Sequence, residues 1–187
     1  MAEIRQKPEP VKPIVALLAG RVEWLDAAAE RVTEWLGPID ITSPTWPFTF
    51  THYYDEVMGP NLLRRLVSFE RLIDPGALAS IKRRTNALEA ELTERFSDVP
   101  RPVNIDPGYV TSAKLVLASA KDFSHRIYLA DGIFAEVTLT FRRGRWESLP
   151  STFPDYASGL YDGFLNEVRQ SWKRQLHGAA DGDSPQP

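Results

Sequence analysis

Hydrophobic positions in the first part of the chain change from a continuous run to a helical repeat. Apolar residues run from Pro13 to Ala19, which is typical of a short buried strand ending at Gly20. From residue 22 to 36 they recur every three or four positions, which predicts a helix with one apolar stripe that stops at Gly37-Pro38. Residues 39–42 alternate briefly and predict a second strand.

The middle of the chain predicts a third strand and a second helix. Residues 62–73 (LLRRLVSFERLI) are expected to contain a strand at 66–72. Asp74-Pro75 then supplies a helix N-cap and a first helical residue. The helix that follows, of about twenty residues, has its apolar positions at helical spacing, namely Leu78, Ile81, Leu88 and Leu92.

The second half of the chain predicts mainly strands. Residues 97–110 (SDVPRPVNIDPGYV) are predicted as a loop, 112–120 as a strand, 121–141 as two further strands and 158–176 as a third helix. The resulting βαββαβ order, followed by a hairpin and a helix, predicts an α+β domain in which helices cover one face of a mainly antiparallel sheet. A doubly wound parallel sheet is the alternative, and it is disfavoured because the second half lacks crossover helices.

The two ends of the chain and one internal segment differ from this pattern. Residues 1–12 are polar and interrupted by prolines, and residues 177–187 offer little to bury, so both are predicted to be disordered tails of a single domain at 13–176. The segment 43–60 (SPTWPFTFTHYYDEVMGP) is too aromatic to be left in water and is predicted to be a long ordered loop. It is either a lid, with Tyr53 and Tyr54 over a pocket, or a packed structural loop.

Residues 121–141 are predicted to form a β-hairpin with one polar face. A two-residue Asp131-Gly132 turn would place Ile127 opposite Glu136, so a three-residue turn at 130–132 is expected instead. That turn pairs Leu129 with Ile133, Ile127 with Ala135 and Arg126 with Glu136. Strict alternation from residue 133 onward then gives an apolar face and a polar face. The side chains expected to share the polar face are Arg126, Tyr128, Glu136 and Thr138.

Composition and charge narrow the possible functions. The chain has 187 residues, a net charge of −3 and no cysteine, so disulfides, thiolate nucleophiles and thiolate metal sites are excluded. Its basic clusters, at 64–65, 82–84 and 142–145, lie on different predicted elements, so a solvated surface is favoured over a nucleic-acid interface. The apolar run 14–20 does not follow the pattern of a secretion signal, and no segment is long enough to span a bilayer. A cytoplasmic location is therefore expected.

Several long motifs resemble one protein family. These motifs are 48–59 (FTFTHYYDEVMG), 66–82 (LVSFERLIDPGALASIK), 149–156 (LPSTFPDY) and the run 104–141 that begins NIDPGYV. They resemble the bacterial family catalogued as domain of unknown function 4416, over about residues 12–176. The resemblance implies no established activity, although some members are labelled GTP-binding proteins. The chain has no GxxxxGK[ST] phosphate loop, and the tripeptide Ser119-Ala120-Lys121 is too short to indicate guanine binding.

The density of ionisable residues near the hairpin predicts a polar pocket built on residues 121–138 and the 104–109 loop. Acid–base catalysis there requires a histidine beside a carboxylate. Asp122 and His125 can pair within the segment that enters the hairpin. His125 and Glu136 can pair only if the strand begins as late as Arg126, because otherwise His125 lies opposite Val137. The same imidazole and carboxylates, with Asp106, are candidate metal ligands, but the sequence has no metal-binding spacing.

A small anionic ligand, bearing phosphate or carboxylate, is the favoured hypothesis for this pocket. Lysine and arginine side chains supply the positive charge, and a tyrosine can orient or stack on a ring. Changing His125 or Arg126 to alanine is expected to weaken binding with little effect on stability. The alternative is a non-catalytic interaction domain, associated with nucleotide (GTP) or RNA, in which these residues are structural. The candidate ligand-binding residues are Asn104, Asp106, Tyr109, Lys114, Lys121, Arg126, Tyr128, Thr138, Tyr53 and Tyr54.

Overall fold

The computed structural model describes residues 8–181, with side chains through residue 177. Of the tails predicted at 1–12 and 177–187, residues 1–7 and 182–187 lie outside this range. The described elements are β1 (Lys12–Ala19), α1 (Val22–Leu36), β2 (Ile39–Thr42), β3 (Trp46–Pro47), α2 (Asp55–Met58), β4 (Leu63–Phe69), a 3-10 turn (Pro75–Ala77), α3 (Leu78–Arg95), β5 (Val103–Val110), β6 (Lys114–Ser119), β7 (Ile127–Ala130), β8 (Ile133–Arg142), β9 (Arg145–Ser148), α4 (Pro154–Ala157) and α5 (Asp162–Asp181).

The strands form one antiparallel sheet, so the predicted α+β class is confirmed. The strand order is β2-β4-β1-β5-β6-β8-β7, with β3 added to β4 and β9 added to β8. The central strand β1 is buried at all eight positions, because its apolar run must be covered on both faces. The fourth strand, β4, covers residues 63–69 rather than the expected 66–72.

Helices pack on both faces of the sheet, not on one as the sequence led us to expect. Helices α1 and α3 cover the face of β1 that carries Val15 and Leu17. Helix α5 covers the opposite face, where Leu165 and Val168 join the core cluster of Ile14. Two-sided coverage follows from β1 itself, since a strand that is apolar from Pro13 to Ala19 cannot leave either face in water.

The domain extends beyond the predicted limits at both ends. Val11 and Lys12 were assigned to the N-terminal tail, but both are buried, and Val11 pairs with Ile73. The Lys12 ammonium forms an ion pair with Asp40 and donates a 2.9 Å hydrogen bond to Gln175 Oε1. Burial of this lysine is tolerated because both partners are close. At the other end, α5 continues through Asp181, past the expected limit at residue 176.

Residues 103–110 form the central strand β5, so the loop predicted at 104–109 is wrong. Strand β6 pairs with β5 only at Gly108–Val110, and the earlier part of β5 is free on that side. There Ile105 N–H donates to Glu89 Oε1 (2.8 Å), and Lys82 Nζ donates to Ile105 O (2.8 Å). Alternate N–H groups of a strand point to the same side, so an N–H at residue 107 would point toward β6, as that of Ile105 does. Because β6 has diverged from β5 at this point, proline at 107 costs the sheet no hydrogen bond.

The hairpin turn is the two-residue type that the sequence pattern disfavours. Asp131 and Gly132 both have positive φ (53° and 75°), and Ala130 pairs with Ile133. A register shift between Tyr128 and Ala130 leaves Leu129 unpaired, and Ile127 still lies opposite Ala135 as expected. The bulge therefore restores the pairing of Ile127 with Ala135 that the three-residue turn was predicted to give.

Strand β8 contains a second irregularity that breaks its predicted alternation. Leu115 pairs with Leu139 and Val116 with Val137, so Thr138 is the extra residue. As a result Glu136 lies on the same sheet face as Leu117 and is buried, whereas Val137 is 37% exposed. The buried carboxylate needs partners, and these form the candidate site.

The segment 43–60, which we name the cover segment, packs over one end of the sheet. It contains β3 and the short helix α2, and Phe48 and Met58 are buried against Leu18 and Leu62. Tyr54 contacts Phe48 edge to face, with ring centroids 6.3 Å apart. An ordered, aromatic segment at this position agrees with the expectation from its sequence.

Candidate functional site

A cleft of about 820 Å³ opens at the edge of the sheet beside the hairpin. Strand β7 pairs with residues 133–135 of β8 and β9 pairs with residues 139–142, which leaves residues 136–138 between them. The cleft lies at this gap, and we name it the hairpin cleft. Its size is that of sites for small molecules. It is lined by Phe123, Ser124, His125, Arg126, Ile127, Ala135, Val137, Leu149, Pro150, Ser151 and Phe153.

Three of the predicted site residues meet at the wall of the cleft. Arg126 Nε donates to Glu136 Oε2 over 2.7 Å, which agrees with the cross-strand pair expected from the sequence. His125 Nε2 lies 3.1 Å from the same carboxylate oxygen. The Glu136 side chain is 3% exposed, that of Arg126 9% and that of His125 26%. The acid is therefore internal, and His125 is the most accessible of the three.

Arg126 is fixed by more than the carboxylate. Its Nη1 donates to Ser119 Oγ and to the Lys121 carbonyl, both at 2.8 Å. These bonds join β6, the segment after it and β8 around one guanidinium. A side chain held by three partners on separate elements is rigid, and rigid positioning favours specific binding of a ligand.

The structure changes the assignment of the catalytic candidates. Asp122 is exposed and forms no hydrogen bond or ion pair with other residues in the described range 8–181, so the Asp122–His125 pair favoured by the sequence is not formed. The pair that forms is His125 with Glu136. Strand parity does not exclude it, because β7 begins only at Ile127 and His125 precedes the strand.

Of the ten predicted ligand-binding residues, Arg126 lines the cleft and the other nine do not. Tyr109 is on the sheet face opposite to Glu136, packed in the core beneath α3. Lys114 is exposed at the start of β6, opposite Thr140. Tyr128 is 59% exposed and contacts Phe134 edge to face. Thr138 is buried, and its carbonyl accepts a 2.6 Å hydrogen bond from Thr152.

Lys121 connects the hairpin to the cover segment. Its Nζ donates to Tyr53 OH over 2.8 Å and lies 4.9 Å from the centre of the Tyr53 ring. The hydrogen bond, with the charge of the same ammonium, lowers the pKa of the Tyr53 hydroxyl. Tyr53 itself is 65% exposed, whereas Tyr54 is half-buried and faces inward against Phe48. These contacts place the cover segment beside the predicted site, as a lid would be.

Asn104 and Asp106 belong to a second polar group, which is not part of the cleft lining. Asp106 Oδ1 accepts from Lys82 Nζ (3.0 Å), and Asp106 Oδ2 accepts from Asn104 Nδ2 (2.6 Å). Arg101 Nη2 donates to Asn104 Oδ1 (2.5 Å). Register places Asp106 on the same sheet face as Glu136, because Gly108 lies opposite Leu117 and Leu117 opposite Glu136.

Arg64 lies next to Asp106 at the other side of this second group. We use the name Arg64 cluster for five residues: Arg64, Asp106, Asp155, Tyr156 and Tyr161. Arg64 is 4% exposed, and its guanidinium lies 4.9 Å from the centre of the Phe48 ring. Arg64 Nη1 is 4.0 Å from Asp106, and Nη2 is 3.6 Å from Asp155. The solvated basic cluster expected at residues 64–65 is therefore wrong for Arg64. The signal that could have found it is that Arg64 shares the alternation of Leu62 and Leu66, which are both buried.

The carboxyl groups of the cluster respond differently to burial. Burial acts to raise the pKa of Asp106, but the charges of Lys82 and Arg64 and hydrogen bonds to the carboxylate outweigh it, so that pKa is lowered. Burial raises the pKa of Asp155 despite the opposing charge of Arg64. Asp106 is therefore the acid that balances the charges of Lys82 and Arg64.

Substitution of Asp106 is expected to make the free energy of unfolding depend less on pH in the acid range. Since the folded pKa of Asp106 is lowered, its contribution is present above the unfolded value near 3.9 and is lost as pH falls through the folded value. We expect Asp106→Asn to cost about 1.5–3 kcal/mol at pH 7 and progressively less below about pH 4. Urea denaturation across this pH range measures the difference. The matched control is Asp131→Asn, which alters an exposed pair with Arg83. An equal loss at pH 7 and pH 3 contradicts the assignment.

The described residues contain neither a metal-binding group of side chains nor a membrane-spanning helix. No group of three histidine, aspartate or glutamate residues between 8 and 181 is arranged to hold a metal ion. Among the described helices, each is either too short or too polar to cross a bilayer. The side chains of the two polar groups supply imidazole, guanidinium, ammonium, carboxylate, hydroxyl and phenol groups.

The fold and these two polar groups define an α+β domain with an antiparallel sheet, a cleft at one sheet edge and a buried arginine cluster. The chain belongs to the family described as domain of unknown function DUF4416, whose model matches residues 9–172. The family resemblance seen in the sequence is therefore confirmed. Comparison with curated proteins found no match, and comparison with solved structures also found none.

Proposed function

We propose that the domain binds a small molecule in the hairpin cleft, with an acidic group at His125 and an apolar body along the walls. The observation that supports this most directly is a cleft of about 820 Å³ whose mainly apolar lining includes the edge of the His125–Glu136–Arg126 network. Apolar walls with a few fixed polar groups are the usual form of a ligand site.

The hydrogen-bond donors of the network define the acidic group. Glu136 neutralises Arg126, and the His125 imidazole, the most exposed of the three side chains, lines the cleft. A carboxylate or a phosphate ester accepts hydrogen bonds from imidazole and guanidinium N–H groups. The proposed ligand is therefore an amphipathic acid of the cytoplasm, where we also place the protein.

A catalytic role is the second candidate, favoured by the 3.1 Å contact of His125 with Glu136. A buried carboxylate that holds an imidazole at the mouth of a cleft can orient it for proton transfer. In this role His125 is the acid or base, and Glu136 is its positioning residue. Asp122, exposed and unpaired within the described range, has no part in it.

Replacement of His125 is expected to reduce ligand affinity at least tenfold while changing stability little. The imidazole is partly exposed and makes one hydrogen bond, so we expect His125→Ala to cost about 1 kcal/mol of folding free energy. The measurement is isothermal titration with alkyl carboxylates and alkyl phosphates of graded length, each beside its neutral amide or alcohol. We expect the acids to bind and the neutral compounds to bind more weakly.

His52→Ala is the matched control, because His52 is 93% exposed on the cover segment and is not part of the cleft lining. It should leave affinity unchanged. Equal binding of an acid and its amide, or equal affinity of the wild-type protein and His125→Ala, contradicts the proposal. In that case the non-catalytic interaction domain becomes the better description.

A further inference from the structure

The Arg64 cluster contains buried donors that none of the described residues satisfies. Arg64 Nε and Nη1 have no hydrogen-bond partner among the described residues, and neither does the Tyr156 hydroxyl. The nearest carboxylates, at 3.6 and 4.0 Å, are too distant for hydrogen bonds. Buried polar groups in folded proteins are nearly always hydrogen-bonded, so three without a described partner in one cluster point to a bound ligand.

We propose that the Arg64 cluster is a second binding site, and that it takes the carboxylate group of a small monocarboxylic acid. A carboxylate has two acceptor oxygens, one for the guanidinium of Arg64 and one for the Tyr156 hydroxyl. This site is separate from the hairpin cleft, since none of its five residues lines that cleft. It therefore does not depend on the function proposed above.

The neighbouring charges favour a single negative charge over a phosphate dianion. Lys82 is already bound to Asp106 and to a backbone carbonyl, and Arg101 is bound to Glu89 and Asn104. Arg64 is thus the cation with unused donors in this part of the described structure. Asp155 lies beside it and accepts a 3.1 Å hydrogen bond from Tyr161, so a doubly charged ligand meets a nearby acid without a second free cation.

The cover segment controls access to this cluster. Phe48 lies over the Arg64 guanidinium, and Tyr54 packs against Phe48. The outer end of the segment is held by the bond between Lys121 and Tyr53, which is solvent-exposed. Entry of a ligand requires this segment to move, and a solvent-exposed hydrogen bond is a contact that opens at little cost.

The test uses the full chain and the Arg64 Nε–H signal in a proton–nitrogen NMR spectrum, assigned by its loss in Arg64→Lys. The probes are formate, acetate and inorganic phosphate. We expect saturable shifts with formate and acetate and no specific shift with phosphate. Tyr156→Phe should weaken the carboxylate response at least fivefold. It should leave the melting temperature of the unliganded protein unchanged or raised, because the hydroxyl it removes has no partner among the described residues.

Two controls separate carboxylate binding at Arg64 from a change in folding and from binding at the hairpin cleft. Tyr161→Phe removes the hydrogen bond to Asp155, so it should lower the melting temperature of the unliganded protein. Tyr156→Phe should not lower it, so the two variants distinguish a loss of stability from a loss of ligand binding. His125→Ala should not alter the Arg64 response, so failure at one site is distinguishable from failure at the other. The proposal is overturned if neither carboxylate gives a saturable shift, if phosphate alone does, or if wild type and Tyr156→Phe respond equally. Ordered water alone then satisfies Arg64.

Discussion

Replacement of Gly108 by alanine is expected to prevent stable folding of the domain. A Cβ at this position would lie 2.3 Å from the Val116 carbonyl oxygen and 2.6 Å from Leu117 Cδ2. The first contact is with backbone, so no side-chain rotation relieves it. Gly108 is also where β5 begins to pair with β6, at the centre of the sheet. We expect a loss above about 4 kcal/mol, which is a large part of the stability of a typical domain.

Thermal or urea denaturation measures this effect, and Gly163→Ala is the matched control. A Cβ at Gly163 meets nothing within 4 Å, and the residue lies inside α5. Alanine there should leave stability unchanged or raise it by up to about 1 kcal/mol, since alanine favours helix. If Gly108→Ala and Gly163→Ala melt at the same temperature, the close approach of β5 and β6 is not as described.

Removal of Arg126 is expected to produce the second largest effect, about 3–5 kcal/mol of lost stability. Arg126→Ala leaves Glu136, which is 3% exposed, without its main counter-charge. It also frees Ser119 Oγ and the Lys121 carbonyl from their donor. The expectation from sequence was that this change would leave stability nearly unaltered. The burial and three hydrogen bonds of Arg126 are the reason for revising it.

A double-mutant cycle tests whether Arg126 and Glu136 stabilise the fold as a pair or independently of each other. Arg126→Leu and Glu136→Leu each leave one buried charge, whereas the double variant leaves none. We therefore expect the double variant to lose less stability than the sum of the single variants, by at least about 1 kcal/mol in chemical denaturation. Additive losses would show that the two side chains do not depend on each other.

The elements that the sequence predicted well are those whose pattern is local. Helix α1 and strand β1 follow directly from apolar spacing within one segment. Strand β5 could not be found this way, because Pro107 and Gly108 are typical of loops. Pro107 is tolerated because β6 has diverged from β5 at that point, and Gly108 because the Val116 carbonyl approaches too closely for a Cβ. Those reasons depend on contacts between segments distant in sequence.

The same distinction applies to the two polar sites. Arg126 and Glu136 are separated by one hairpin, so their contact could be predicted from alternation, although the turn is shorter than expected and a bulge restores the register. The partners of Arg64 come from β5 and α4, far along the chain, and no local pattern connects them. The Arg64 cluster also could not be predicted because helices were expected on one face of the sheet, whereas α4 and α5 lie on the second face, which carries Arg64 and Asp106.

Native mass spectrometry of the full chain, purified without denaturation from its host, tests the central claim most directly. The claim is that the hairpin cleft holds a small acidic molecule through His125. We predict a bound small molecule in the wild-type protein and in His52→Ala, and its loss from His125→Ala. A bound species retained by His125→Ala, or a wild-type protein that carries none and binds none of the alkyl acids, would contradict it.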